Sequence, residues 1–144
     1  MATERKAEVT WTGDLMSGSG TIDNVTSGAL PPLDVSWPSR AEAPNGKTSP
    51  EELIAAAWAS CFAMALSHGL AQDGTPPEKL ETSATVTFQP GEGIVKGALS
   101  VRGTVPGLDA GGFDAAAEKA KANCPVSKAL TGIPEIALTA ELAS

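Results

Sequence analysis

The chain has 144 residues and a mass of 14.5 kDa, the size of one ordinary domain, so a single domain over residues 1–144 is expected. Hydrophobic residues make up 42% and charged residues 19%, with a mean hydropathy of −0.01, which places the chain with soluble globular proteins rather than disordered or membrane-spanning ones. Ten Lys and Arg against 17 Asp and Glu give a net charge of −7 and a pI near 4.6, so neither nucleic acid nor an anionic membrane is expected as a partner.

The charged start, Met1 to Glu8, leads into no apolar stretch with a cleavage site. No secretory signal is expected, and the cytoplasm is the expected location. Ala7 to Thr12 and Gly18 to Val25 predict two short strands joined at Gly13-Asp14 and Ser17-Gly18, a small hairpin. From Ser27 to Ser49 the chain is rich in Pro, Gly, Ser and Asn and reads as loop, with one strand near Leu33 to Trp37 and an isolated Arg40. Ser49-Pro50-Glu51-Glu52 places Ser at N-cap, Pro at N1 and Glu at N3, a capping box that starts a helix.

That helix is apolar nearly all round. Leu53, Ala56, Ala57, Ser60, Cys61, Met64, Ala65 and Gly69 recur on one side, and Ile54, Trp58, Phe62 and Leu66 on the other. One small sheet cannot cover every side of it, so a second subunit is expected to bury the remaining face, making an obligate homodimer. The most apolar segment, Leu53 to Leu66, is shorter than the roughly 20 residues a bilayer span needs. Gly74, Pro76 and Pro77 end the helix.

Leu80, Thr82, Ala84, Val86 and Phe88 alternate, Pro90 to Gly93 turn, and Ile94 to Val105 is extended again, which predicts an antiparallel hairpin. Phe113 to Asn123 is helical, Pro125 opens a short helix through about Leu130, and Ile136, Leu138, Ala140 and Leu142 form a last strand. The fold class is therefore α+β, a mostly antiparallel sheet packed on a long central helix.

Cys61 and Cys124, 63 positions apart, are neither a local CxxC turn nor a Cys-only zinc site, and a reducing cytosol disfavours a permanent bridge. Cys61, in the apolar helix, reads by default as a small buried hydrophobe. Cys124 falls at the N-cap of the short helix, where the dipole favours a thiolate, so local electrostatics alone select Cys124 as nucleophile. Arg40 is by default a solvated charge; folded over a thiol it would stabilise the thiolate. Glu51 is by default a favourable first-turn carboxylate, and its sharper role is to hold Arg40 bidentately.

Other chemistries find no residues. His68 is the single histidine, without a metal-ligand set around it, and Gly-x-Ser-x-Gly does not occur. Gly46-Lys47-Thr48 lacks the earlier glycine of a phosphate loop, and no dinucleotide fingerprint is present. Trp11, Trp37 and Trp58 read as core or interface anchors.

Taken together, Thr48-Ser49-Pro50-Glu51-Glu52-Leu53-Ile54-Ala55-Ala56-Ala57-Trp58-Ala59-Ser60-Cys61-Phe62-Ala63-Met64 and Asn123-Cys124-Pro125-Val126-Ser127 resemble the OsmC/Ohr family of thiol peroxidases over nearly the whole chain. The resemblance implies an intertwined homodimer with two central helices wrapped by both sheets, and cysteine-based reduction of organic hydroperoxides. It matches Cys61 to the peroxidatic and Cys124 to the resolving cysteine, overruling the local choice of Cys124. It matches Glu51 to the carboxylate that orients the active-site arginine. Arg40, in Pro38-Ser39-Arg40-Ala41-Glu42, looks like the arginine of the OsmC branch; the Ohr branch carries it after the second strand, where Thr21 to Gly28 has none. Ser49 stands where many members have Asn, which keeps N-cap chemistry.

The resemblance further implies no metal, haem or flavin cofactor, a Cys61–Cys124 disulfide intermediate, and an external dithiol of lipoyl type as reductant. An apolar pocket near Phe62 and Met64 would favour alkyl hydroperoxides. The rival reading is a small-ligand-binding or stress protein of the same fold with buried, idle thiols. One geometric check is independent of the family. Glu51 and Cys61 are ten residues apart on one helix, about 15 Å along its axis, so joint action requires Glu51 and Arg40 of one chain to reach Cys61 of the other.

Overall fold

Two adjacent turn signals fold the N-terminal strands onto each other. In the computed structural model, which describes residues 1–143, β1 (Ala7–Thr12) pairs antiparallel with β2 (Ser19–Val25), and β2 pairs antiparallel with β3 (Leu33–Val35). The turn is held by Asp14, whose Oδ1 accepts from the Ser17 N–H at 2.8 Å and the Ser17 hydroxyl at 2.6 Å. The Ser17 hydroxyl, then the Ser17 N–H, hold the Asp14 carboxyl below its ordinary value. The Trp11 ring lies over Gly20, where a Cβ would come within 2.7 Å of it.

The segment read as loop contains a short helix, α1 (Trp37–Ala41), so Trp37 is helical rather than the end of a strand and Arg40 sits in a last helical turn. The cause is a capping box with Ser at both positions. Ser36 Oγ accepts from the Ser39 N–H at 3.2 Å and Ser39 Oγ accepts from the Ser36 N–H at 3.1 Å. Then α2 (Pro50–Gln72) begins as expected, with the Glu52 N–H donating to Ser49 Oγ at 3.1 Å. Only half of its predicted box closes, because the Glu52 carboxylate accepts from the Thr48 hydroxyl at 2.9 Å.

Residues 1–53 form one compact unit and the chain from Ile54 onward a second. In the second, β4 (Lys79–Gln89) and β5 (Gly93–Thr104) make the expected antiparallel hairpin. The chain then crosses over through α3 (Ala110–Asn123) and α4 (Pro125–Ala129), and β6 (Glu135–Leu142) joins β5 in parallel. Among the described residues three of the four strand pairings are thus antiparallel. Helix α3 starts three residues before the expected Phe113, because Asp109 caps it by accepting from the Gly112 N–H at 2.7 Å.

The register places Val86, Gly97 and Ile136 in one row, Ala84, Leu99 and Leu138 in the next, and Leu80, Gly103 and Leu142 in another. The glycines are slots for rings. A Cβ on Gly97 would lie 2.7 Å from two atoms of the Trp58 indole, and one on Gly103 would lie 2.5 Å from the Phe113 ring. Trp58, Phe62, Leu66 and Leu70, at i, i+4 spacing on α2, are buried with Leu99, Val101, Val105, Phe113, Ala117 and Cys124 in one core.

At 23 residues α2 is longer than the apolar segment counted from sequence, and it is long and apolar enough to cross a membrane, as the core helix of a globular domain can also be. Its length therefore does not exclude a span, contrary to the expectation from Leu53 to Leu66. What defines the helix here is its divided surface, with the Trp58 to Leu70 stripe packed inward and Ala56, Ala57, Ser60 and Met64 exposed.

Candidate active site

Two constellations gather the predicted residues, one in each unit. In the first, the short α1 presents Arg40 and the first turn of α2 presents Glu51. Arg40 Nε donates to Glu51 Oε1 at 3.0 Å and the second guanidinium nitrogen donates to Oε2 at 2.8 Å, a bidentate fork. Glu51 is buried, with 6% of its surface exposed, while Arg40 is half-buried. The carboxylate thereby fixes the guanidinium plane, the sharper of the two roles its sequence position allowed.

In the second, α2 carries Cys61 and the α3–α4 junction carries Cys124. Both are thiols, and their Sγ atoms lie 3.0 Å apart. A disulfide S–S bond is about 2.05 Å, so a sulfur movement of about 1 Å would join them. Cys124 is wholly buried and Cys61 partly so. The junction is sharp because Asn123 ends α3 and Pro125 opens α4, leaving Cys124 extended between them as C-cap of one helix and N-cap of the next.

Their electrostatics are unequal. Burial pushes the Cys61 thiol up, and the contact with Cys124 pushes it further. At Cys124 burial acts upward too, but it is outweighed by the hydrogen bond with Cys61, by the Ser127 N–H and hydroxyl, and by the Val126 N–H, so its thiol lies below the ordinary value. The neutral side chain closes no capping bond; it is the ionised form that these donors favour. Within this unit the ionised form is favoured more at Cys124 than at Cys61, in the direction its N-cap position predicts.

Sequence reasoning gave Trp58 only an anchoring role and Ser127 none. The Trp58 indole N–H donates to Ser127 Oγ at 2.8 Å in a buried setting. The signal was the serine two residues after Cys124-Pro125, at N3 of the helix that Pro125 opens. Of the other tryptophans, Trp37 is half-buried, and Trp11 keeps 40% of its surface exposed while its indole N–H donates to the Gly13 carbonyl at 2.9 Å.

The expected pocket shared by Phe62 and Met64 does not form. Phe62 is wholly buried in the core, whereas Met64 is 71% exposed on the other side of the helix, as their separation of two residues on a 3.6-residue turn requires. Met64 instead lines an open surface cavity of about 530 Å³ with Ala63, Ser67, His68, Pro77 and Leu80. Among the described residues, no three His, Cys, Asp or Glu side chains gather into a metal-binding group.

Residues 43–139 match the family described as OsmC-like protein. Over 147 aligned positions, covering all of both chains, the sequence is 42% identical to the peroxiredoxin OsmC of Escherichia coli (strain K12). It is 33% identical to an organic hydroperoxide resistance protein of Xanthomonas axonopodis pv. citri (strain 306) over 96 residues, 64% of this chain and 66% of that one. The crystal structure of an organic hydroperoxide resistance protein OsmC from Legionella pneumophila matches with a TM-score of 0.71 at 27% identity, covering 94% of this chain and 96% of that one. With a family match over more than half its length and a full-length relative at this identity, the chain belongs to the OsmC-like family.

Proposed function

We propose that this protein is a thiol peroxidase that reduces organic hydroperoxides to alcohols, with hydrogen peroxide as a poorer substrate. The observation that carries the reading is the contact of two free thiols 3.0 Å apart, from residues 63 positions distant in sequence, at a helix junction that favours a thiolate. The names of the relatives, peroxiredoxin and organic hydroperoxide resistance protein, point the same way.

In this reading the Cys61 thiolate attacks one peroxide oxygen. The O–O bond breaks, Cys61 becomes a sulfenic acid, and an alkoxide departs and takes up a proton as the alcohol. Cys124 then attacks the sulfenic sulfur, which releases its hydroxyl as water and forms the Cys61–Cys124 disulfide. An external dithiol, of lipoyl type in our proposal, reduces that bond and leaves as its own disulfide. No metal or organic cofactor takes part.

Since burial and Cys124 both oppose ionisation of Cys61 within the chain, a cation has to act on it. We assign that role to Arg40, oriented by Glu51, which also stabilises the departing alkoxide. With Glu51 ten residues from Cys61 on α2, the arrangement calls for Arg40 and Glu51 from a second copy, in a homodimer that covers Ala56, Ala57, Ser60 and Met64 of α2.

The test is a single turnover. The reduced protein is mixed with an equal amount of cumene hydroperoxide and its disulfides are mapped. A rapid Cys61–Cys124 bond is the expected product; two unreacted thiols would leave the ligand-binding reading in its place.

A further inference from the structure

The contact of the two sulfurs has a neighbour that the chemistry above does not use. Cys61 meets Cys124 at 3.0 Å, and the Trp58 indole N–H donates to Ser127 Oγ at 2.8 Å. Trp58 and Cys61 are three residues apart on α2, and Cys124 and Ser127 are three residues apart as N-cap and N3 of α4. Side chains at that spacing share a helix face and lie about one turn apart. Trp58 is matched with Ser127 and Cys61 with Cys124, so the two segments run in opposite directions and the contacts are successive rungs between them.

The second rung matters because α4 depends on the rest of the fold for its place. It is five residues long and the Cys124 side chain makes no capping bond at its start; a helix of that length has no stability of its own. Val126, and Leu130 just after it, pack against the core, but apolar packing is non-directional, whereas a hydrogen bond sets a distance and an angle. A single rung is a pivot; two rungs a turn apart fix rotation as well as separation. The Trp58 end is rigid, since the side chain is wholly buried and its ring fills the slot over Gly97, where a Cβ would come within 2.7 Å of two ring atoms. Ser127 is 8% exposed, so removing either partner leaves the other unpaired away from water.

We propose that Trp58 and Ser127 are positioning residues that hold α4 in register with α2, so that Cys124 captures the Cys61 sulfenic acid before a second peroxide does. This rests on the peroxidase reading and deepens it at the resolving step. In resolution the Cys124 sulfur attacks the Cys61 sulfur, an S–S bond forms, the S–O bond breaks, and the hydroxyl leaves with the Cys124 proton as water. In the competing path the sulfenic sulfur takes an oxygen from a second hydroperoxide, whose O–O bond breaks to release alcohol, and Cys61 becomes a sulfinic acid that a dithiol does not reduce. Sulfurs held 3.0 Å apart need move only about 1 Å to bond, and resolution stays ahead for as long as α4 keeps that distance.

Two measurements test the assignment. Reduced protein is mixed with rising concentrations of cumene hydroperoxide without any reductant, and mass spectrometry gives the ratio of Cys61–Cys124 disulfide to Cys61 sulfinic acid. In Ser127→Ala the peroxide concentration that sends half of Cys61 to sulfinic acid should fall about fivefold, the factor to which one hydrogen bond corresponds. Separately, the protein is equilibrated with reduced and oxidised dithiothreitol. In Ser127→Ala the equilibrium constant for closing the disulfide should fall by about the same factor, because a loosened α4 gives up more freedom when the bond forms. Trp58→Phe should shift both readings in the same direction, and Ser127→Thr, which keeps the hydroxyl, should restore both. Gly103→Ala, which weakens the fold at the Phe113 slot instead, is the control and should move neither. Unshifted readings in Ser127→Ala would overturn the proposal, and so would an equal shift in Gly103→Ala, which would make the bond a matter of general stability. The dithiothreitol equilibrium uses no peroxide and decides the positioning by itself, whereas failure of cumene hydroperoxide to oxidise either cysteine would overturn the peroxidase reading alone.

Discussion

At the scale of single residues, the candidate chemistry divides into a cation held by a carboxylate and a pair of thiols holding one another. The Arg40–Glu51 fork is bidentate and its carboxylate is buried, so a point charge cannot replace the planar guanidinium. Arg40→Lys should lower kcat/KM for cumene hydroperoxide about tenfold, measured under saturating dithiol. Glu51→Gln, which keeps the shape and loses the charge, should do the same while costing about 1 kcal/mol of stability in a denaturant titration.

The sign of the pH dependence follows from the thiols. Burial, and then Cys124, hold the Cys61 thiol up, and a nearby guanidinium would bring it down. In the mechanism we propose, the thiolate forms only at higher pH without Arg40, so in Arg40→Ala the rate of oxidation should still be climbing with pH where the unaltered protein has levelled off. Coincident profiles would remove Arg40 from the mechanism. Cys61→Ser should abolish turnover, whereas Cys124→Ser should permit one oxidation and leave a sulfenic acid that a dimedone probe captures.

At the scale of elements, local chemistry in the sequence accounts for most boundaries. Ser49 and Pro50 start α2, Gly74 in a left-handed conformation follows its end, and the turn at Pro90 to Gly93 closes the β4–β5 hairpin. Two boundaries were hidden because weak helix formers carried them. The Ser36–Ser39 box has Ser where Glu is the usual signal, and α3 begins across Gly111 and Gly112, which disfavour a helix until Asp109 caps it. Strand direction was hidden for another reason, since an alternating strand looks alike in parallel and antiparallel pairing; the α3–α4 crossover decides it for β6. The ring slots belong to this scale as well. Gly103→Ala would drive a Cβ to 2.5 Å from the Phe113 ring, and should cost about 1–3 kcal/mol, read as a lower denaturant midpoint with an unchanged slope.

At the scale of the whole molecule, α2 is the element that asks for a partner. Its inward stripe from Trp58 to Leu70 is satisfied within the chain, but Ala56, Ala57, Ser60 and Met64 are not covered by it. In the homodimer we propose, a charge in the middle of that face would be buried without a partner. Ala57→Glu should therefore yield a monomer by light scattering and a peroxidase rate lower by about a hundredfold. A monomer that keeps full turnover would sink the idea that Arg40 and Glu51 serve the other chain's Cys61.

The sequence by itself determined where α2 and α4 begin, which strand faces are apolar, and which four side chains are candidates for chemistry, because capping, alternation and residue type are local properties. The OsmC/Ohr resemblance supplied the pairing of Cys61 with Cys124, which spacing alone left open. Only the tertiary structure decided that the two sulfurs meet at 3.0 Å, that Arg40 and Glu51 close a fork, and that an indole reaches a serine beside the buried thiol. Such contacts join residues that are distant along the chain, and they exist only once the packing of helix on sheet has fixed the distance between them.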